Sequence, residues 1–318
     1  MIKKDRRSFV KNITKISGLL AASAILPSWS SAVEQVHTFD FKISLAQWSL
    51  HKGFLSKKLD PLDFPIIAKK TFDIDTVEYV NQFFLDKAKD QKFLKELKKR
   101  CDDNGVKSNL IMIDKEGSLG DQDATVGYQA VENHYKWVEA AAFLNCNSIR
   151  VNLHGTGTVD EWKKSSVINL RKLTEFAQPH KINVIVENHG GYSSNGKWVA
   201  EILTEVNMPT CGTLPDFGNF CVRREKGDLY ESPCVEYYDK YVGTQELLPF
   251  AKGISAKSFD FDANGNETTI DYMKMFTMIK QSKFSGYVGI EYEGNNLEEE
   301  AGIKATHKLL TKIKKALA

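Results

Sequence analysis

Residues 148–189 read SIRVNLHGTGTVDEWKKSSVINLRKLTEFAQPHKINVIVENH. Two short β-prone runs, SIRVNLH from Ser148 and NVIVENH from Asn183, flank a longer amphipathic segment around Ile168–Pro179. Such a pattern is a βα unit, because parallel neighbours in a sheet need a crossover of about a dozen residues or more, usually a helix.

Outward from this stretch the unit recurs in both directions. On the N-terminal side lie KISLAQWSL from Lys42, IDTVEYV from Ile74 and VKSNLIMI from Val106; on the C-terminal side lie TCGTLPDF from Thr210, GISAKSF from Gly253 and GYVGIEYE from Gly286. Eight strand candidates follow one another at a mean spacing of about 35 residues, enough for one strand, one helix and two short loops. Helical segments fall between them. Asp86–Cys101 is rich in Lys, Leu and Glu and stops at Asn104-Gly105; Tyr128–Leu144 sets Val131, Tyr135, Val138 and Ala142 on one face; Glu298–Leu317 closes the chain. Eight units without a linker predict one closed (β/α)8 TIM barrel over residues 40–318. An open doubly wound sheet is the rival, but no GxGxxG or GxxxxGK[ST] turn occurs.

The composition suits that reading. The chain has 318 residues, 42% of them hydrophobic and 26% charged, which excludes disordered and fibrous classes. Its net charge of +2 hides an asymmetry. Residues 1–32 carry Lys3, Lys4, Arg6, Arg7, Lys11 and Lys15 against Asp5 alone, so this segment holds +5 and the remainder −3. The basic stretch precedes an apolar run from Ile16 to Pro27 and then Ser30-Ser31-Ala32, the layout of a cleavable signal peptide. The run is too short to span a bilayer, so no permanent membrane anchor is expected. Arg6-Arg7, followed two positions on by Phe9, gives the leader a twin-arginine-like form and implies export, to the periplasm. A short tail, residues 33–39, would join leader to barrel. The acidic body argues against a nucleic-acid partner. Five cysteines without CxxC spacing do not support a disulfide framework or a structural zinc site, although Cys221 and Cys234 could bridge across a loop.

In a TIM barrel, polar residues at the C-terminal strand ends face one mouth. Here these are Glu78, Asn152 and His154, Glu187 and His189, Asp216, Lys257, and Glu291 and Glu293. Carboxylates gathered there repel unless a cation or protons intervene, and oxygen ligands favour Mg²⁺ or Mn²⁺, with Co²⁺ or Zn²⁺ favoured if a histidine joins.

The strings VENHGG, LPDFGNF, SAKSFDFD and GYVGIEYEG, with AQWSL, VEYVN and RVNLHG, resemble the xylose isomerase-like TIM-barrel family of sugar phosphate isomerases and epimerases, over roughly residues 40–316. The resemblance implies a divalent metal (Mn, Mg, Co or Zn) on Glu187, Asp216 and Glu291, and a small carbohydrate substrate. The strand-7 histidine ligand of that family is here Ser255, two residues before Lys257. The resemblance therefore leaves two arrangements open: a carboxylate metal site completed by water or His189, or a Lys257 ammonium taking part of the metal's role. The chemistry implied is removal of a proton beside a carbonyl, with Glu187 and Glu291 as acid and base and an enediolate stabilised by metal or ammonium. Lys257 and His189 join them as catalytic candidates, and Trp48, Glu78, Asn152, His154 and Asn219 as substrate contacts, with Tyr79 a further stacking surface. The alternatives are a lyase that carries the same enolate on to β-elimination of a keto-glycoside and a non-catalytic carbohydrate-binding barrel. The endonuclease branch fits less well, because it uses several histidine ligands and a basic face. The stretch from about Asn219 to Tyr241, with Arg223, Arg224, Tyr230 and Tyr237, reads as a lid or a surface insertion.

Overall fold

A computed structural model describes residues 39–318; the leader and most of the short tail lie outside the described residues. Six parallel strands come first: β1 (Lys42–Ala46), β2 (Thr76–Val80), β3 (Lys107–Met112), β4 (Ser148–Asn152), β5 (Asn183–Glu187) and β6 (Cys211–Leu214). An antiparallel hairpin of β7 (Cys221–Arg224) and β8 (Cys234–Tyr237) interrupts the series, and β9 (Ile254–Ser258) and β10 (Tyr287–Tyr292) complete it. The parallel strands run in the order β6-β5-β4-β3-β2-β1-β10-β9. Parallel bridges Thr213–Ala251 and Asp216–Ser255 join the two outer strands, so the sheet closes into a barrel.

Local chemistry sets the helices between strands. Thr158 and Glu161 form a reciprocal capping box at the start of Val159–Ala177. Asp90 accepts from the amides of Lys92 and Phe93, so the helix predicted from Asp86 begins at Gln91 and runs to Asn104; Asp86 belongs to a preceding 3-10 turn. It ends at Gly105, whose φ of 64° is the left-handed conformation that terminates helices.

Side chains alternate across each strand, so one set packs against the helices and the other fills the barrel. Val77, Tyr79, Ile149 and Val151 belong to the outer core, while Ala46, Val80, Leu110, Met112, Ile185 and Leu214 form a separate inner cluster. Tyr79 corrects the expectation of a stacking surface. It is fully buried among Phe64 and Phe84, with its hydroxyl against Ser108 and Cys101. The parity of β2 allows nothing else, because Tyr79 points away from the barrel axis. In register, Arg150 pairs with Ile185 and Asn152 with Glu187, so all four lie at matching inward positions. Glu291 sits beside Lys257 on the other flank.

Candidate active site

The inner cluster ends where β4, β5, β6, β9 and β10 reach the mouth, and there the apolar lining gives way to charge. Glu187 closes β5, Asp216 lies just past β6, and Glu291 is on β10. One oxygen of each lies within 4.8 Å of the others. All three are buried. Asp216 and Ser255 meet at the seam that closes the barrel, so the residue pair that completes the fold also completes this cluster.

Two cations accompany them. Lys257 Nζ is 2.8 Å from Glu291 Oε1, 3.2 Å from Glu293 Oε2 and 3.7 Å from Asp216 Oδ2. On the opposite flank the Arg150 guanidinium lies 2.7 Å from Asp114 Oδ1 through Nη1 and 2.7 Å from Glu187 Oε2 through Nε. The second contact is misaligned for a hydrogen bond, and neither Glu187 oxygen has a hydrogen-bond partner. A buried carboxylate in that condition is unusual, since buried polar groups are nearly always paired.

The carboxyls therefore differ in proton affinity. Burial drives Glu187 well above the usual carboxylate range, with Arg150 opposing and the charges of Glu291 and Asp216 adding to the rise. Burial likewise pushes Asp216 up to about 6, although Lys257 opposes it. Burial also works against ionisation of Glu291, but Lys257, which is both an adjacent charge and a donor, and the Ser255 hydroxyl outweigh it and hold Glu291 below its ordinary value. Lys257 stays protonated: its neighbouring carboxylates raise its pKa well above the ordinary lysine value despite burial. Ser255 Oγ lies 2.7 Å from both Asp216 Oδ2 and Glu291 Oε2. A hydroxyl has one proton to donate, so both contacts are hydrogen bonds only when one of the two carboxyls also carries a proton.

The donor set fits a divalent cation. Arg150 faces Asp114 and Glu187, and Lys257 faces Asp216, Glu291 and Glu293, so five carboxyls surround two cations, and oxygens of Glu187, Asp216 and Glu291 lie close enough to share one ion. The unpartnered oxygens of Glu187 are the ones such an ion would satisfy.

The remaining expected residues spread around this centre. Asn152 donates to Asp114 Oδ1 and accepts from Arg150, so it braces the Arg150 flank. His154 and His189 lie one step further out. Tyr230, reaching in from the hairpin, brings its hydroxyl 2.9 Å from His154 Nε2 and 2.8 Å from His189 Nδ1. His154 Nε2 also lies 3.1 Å from the His189 carbonyl, which can only accept, so His154 carries its proton there. Tyr230 then donates to His189 Nδ1. Burial lowers both imidazoles, His189 well below its ordinary value, so the relay is neutral and directional. Asn219 anchors the turn after β6: its amide donates to Asp216 Oδ1 and its carbonyl accepts from Ser194, while its Nδ2 is buried without a partner.

Trp48 stands on the far side of the mouth, stacked with Phe83 and His51, and its indole donates to Glu293. Glu78 is set apart from this group. Its Oε1 accepts from Ser44 and Asn109, and it packs against β10 where Gly289 has no side chain; a Cβ there would come within 2.5 Å of Oε2. Burial pushes it up to about 7.

Arg150, Asp114 and Tyr230 were not among the residues expected at the site. Arg150 had a detectable signal, the shared face with Asn152 and its register with β5; Asp114 follows β3 directly. The hairpin carrying Tyr230 is tied by a Cys221–Cys234 disulfide, the pairing the cysteine spacing allowed. No described helix is long and apolar enough to cross a membrane.

Residues 68–313 match the xylose isomerase-like TIM barrel family. No curated protein matches the chain in sequence. Solved structures of similar fold include an L-ribulose 3-epimerase (TM-score 0.66, 12% identity, 87% of this chain and 96% of that one) and the IOLI protein with a zinc atom bound (0.65, 16%, 87% and 99%). A third is the 3-keto-D-glucoside 4-epimerase of E. coli (0.60, 13%, 86% and 100%).

Proposed function

We propose that this chain, which belongs to the xylose isomerase-like TIM barrel family, removes a proton from the carbon beside a carbonyl of a carbohydrate and returns it to give an isomer or epimer. The observation that carries the reading is geometric: two buried carboxyls face one centre, Glu187 without a hydrogen-bond partner and Glu291 held by Lys257 at 2.8 Å. Environments that separate the proton affinities of paired carboxyls are how one site provides both an acid and a base near neutral pH. Glu291, beside Lys257, takes the proton; Glu187, on the other side of the centre, gives one back. Lys257 keeps Glu291 charged and adds a fixed positive charge beside the oxygen on which negative charge develops. Two of the structural neighbours are by name epimerases of carbonyl sugars, and this supports the reading.

Glu187, Asp216 and Glu291 would hold a divalent metal, with Ser255 where the family places a histidine. Bound there, the metal supplies Lewis-acid stabilisation of the substrate's oxygens. That a neighbour of this fold was solved with a zinc atom bound supports a metal. Trp48 and Phe83 offer an apolar face for the sugar ring, and His154, His189 and Tyr230 orient its hydroxyls. Export is part of the proposal. It is supported by the twin-arginine-like leader and by the hairpin disulfide, a bond that persists in oxidising compartments such as the periplasm.

The test is a metal analysis of the purified protein, with aldoses and keto-sugars supplied in the presence and absence of Mg²⁺, Mn²⁺, Co²⁺ or Zn²⁺. Conversion by the wild type that fails in Glu291→Gln supports the reading. Sugar binding without conversion under every condition, unchanged in Glu291→Gln, overturns it in favour of a carbohydrate-binding barrel.

A further inference from the structure

The loops that follow β4 and β5 border a second space outside the carboxylate centre. A cleft of about 350 Å³ lies between the loops after β4 and β5 and the β7–β8 hairpin. That volume is in the range of small-molecule sites, roughly 300–1,000 Å³. His154, two residues past the end of β4, lines the cleft. The Tyr230 hydroxyl, bonded to His154 and His189, marks the boundary between the two spaces.

The lining is amphipathic in the way a pyranose ring requires. Tyr192 and Trp198 meet edge to face with centroids 5.8 Å apart and form an aromatic wall. Arg223 and Asp228 bring charged groups to the rim from the hairpin. Gly191 also lines the cleft; its φ of 61° disfavours side chains, and a Cβ there would meet Leu229 Cδ2 at 3.1 Å. The outer wall has a fixed shape. The disulfide ties β7 to β8, and Arg224 donates to the carbonyls of Leu229 and Ser232 across the hairpin's tip.

We infer that this cleft is a subsite for a second ring, so that the substrate is a glycoside whose reacting sugar sits at the carboxylates and whose aglycone lies between Trp198 and the hairpin. This rests on the carbonyl-sugar reading of the centre and names the substrate class for it.

The probes are 3-keto-glucose, its methyl glucosides and its phenyl glucosides in both anomers, with binding followed by calorimetry and conversion by NMR. The wild type is expected to prefer a phenyl over the corresponding methyl glucoside about tenfold or more, because the phenyl ring buries apolar area against the aromatic wall. Val222→Trp fills the cleft from the hairpin without touching the carboxylate centre. It should reduce the preference to within about twofold while methyl glucoside conversion is unchanged. Trp198→Ala should do the same by removing the wall, and agreement between the two variants separates the subsite from a folding defect in either. A wild type without phenyl preference, or a preference that survives both variants, overturns the inference. If phenyl preference in binding is present and lost in the variants but nothing is converted, the subsite stands and the proton-transfer reading falls. If all probes are converted equally, the reverse holds. If nothing is bound or converted, both fall.

Discussion

The two flanks of the barrel mouth hold carboxyls of one kind in opposite states. On the β9–β10 flank, Glu291 is surrounded by donors: Lys257 at 2.8 Å and the Ser255 hydroxyl at 2.7 Å. On the β4–β5 flank, Glu187 is as deeply buried but neither oxygen accepts a hydrogen bond, and Arg150 beside it is largely engaged by Asp114 and Asn152. Burial costs both carboxylates; the donors around Glu291 offset it, whereas Arg150 offsets it only in part at Glu187. The difference teaches that a charge survives inside a barrel only where donors replace the water it has lost, and that removing donors from one of two neighbours is enough to turn an acid–base pair out of two glutamates.

Substitution of the pair should produce the largest effect and separate the flanks. Glu187→Gln and Glu291→Gln are each expected to lower kcat by about a thousandfold. Their stabilities should diverge. Glu291→Gln removes the carboxylate that lies nearest the Lys257 ammonium, with Asp216 and Glu293 still beside it, and should cost about 2–3 kcal/mol in chemical denaturation. Glu187→Gln replaces a carboxyl whose charge burial disfavours by a neutral group of the same shape and should change stability by less than about 1 kcal/mol. Equal destabilisation by the two would erase the contrast.

Glu78 extends the comparison below the mouth. Its folded-state pKa of about 7 lies above its ordinary value of 4.5, so the folded chain binds this proton more tightly than the unfolded chain does. Its contribution is full below about pH 4.5 and is lost as pH rises through about 7, by roughly 3 kcal/mol. Denaturation of metal-free protein between pH 5 and pH 8 should show the decline, and Glu78→Gln should remove that part of it. A Glu78→Gln profile identical to the wild type would mean that the carboxyl ionises freely where it is.

Ser255→His would give the seam an imidazole donor in place of a hydroxyl. Calorimetric titration with Mn²⁺ or Zn²⁺ should then show binding tighter by about tenfold or more. No change would place the ion away from Asp216 and Glu291. The smallest expected effect belongs to Tyr230→Phe, which loses the hydroxyl between the two histidines. It should lower kcat/KM by less than about tenfold, consistent with hydrogen bonds worth about 1 kcal/mol, and leave stability unchanged because the ring lies at the hairpin's exposed edge.

How far the sequence foretold these features depends on how local their causes are. The eight strands were legible because each is an apolar β-prone run, and starts expected at Lys42, Ser148 and Asn183 coincide with the strands observed. Glu187, Asp216 and Glu291 were legible because strand ends converge in any barrel, and the structure brings them together. Arg150 was not, since a lone charge inside SIRVNLH signals its role only once strand parity places it beside Asn152 and opposite Glu187. Tyr230 was less legible still. Its partners are His154 and His189, and only the folded hairpin, tied at Cys221 and Cys234, decides where its hydroxyl goes. The inward turn of Glu78 depends on Gly289 two strands away on β10, a contact between residues more than two hundred positions apart.

The central claim is that Glu291 takes a proton from the carbon beside a carbonyl while Glu187 supplies one. It is tested most directly by incubating the metal-loaded protein with keto-sugars and their keto-glucosides in D₂O and following the hydrogens by NMR. The account predicts deuterium at the carbon beside the carbonyl, at a rate lowered about a thousandfold in Glu187→Gln and Glu291→Gln. Conversion of any of these sugars without deuterium entering that position, in substrate or product, would contradict it.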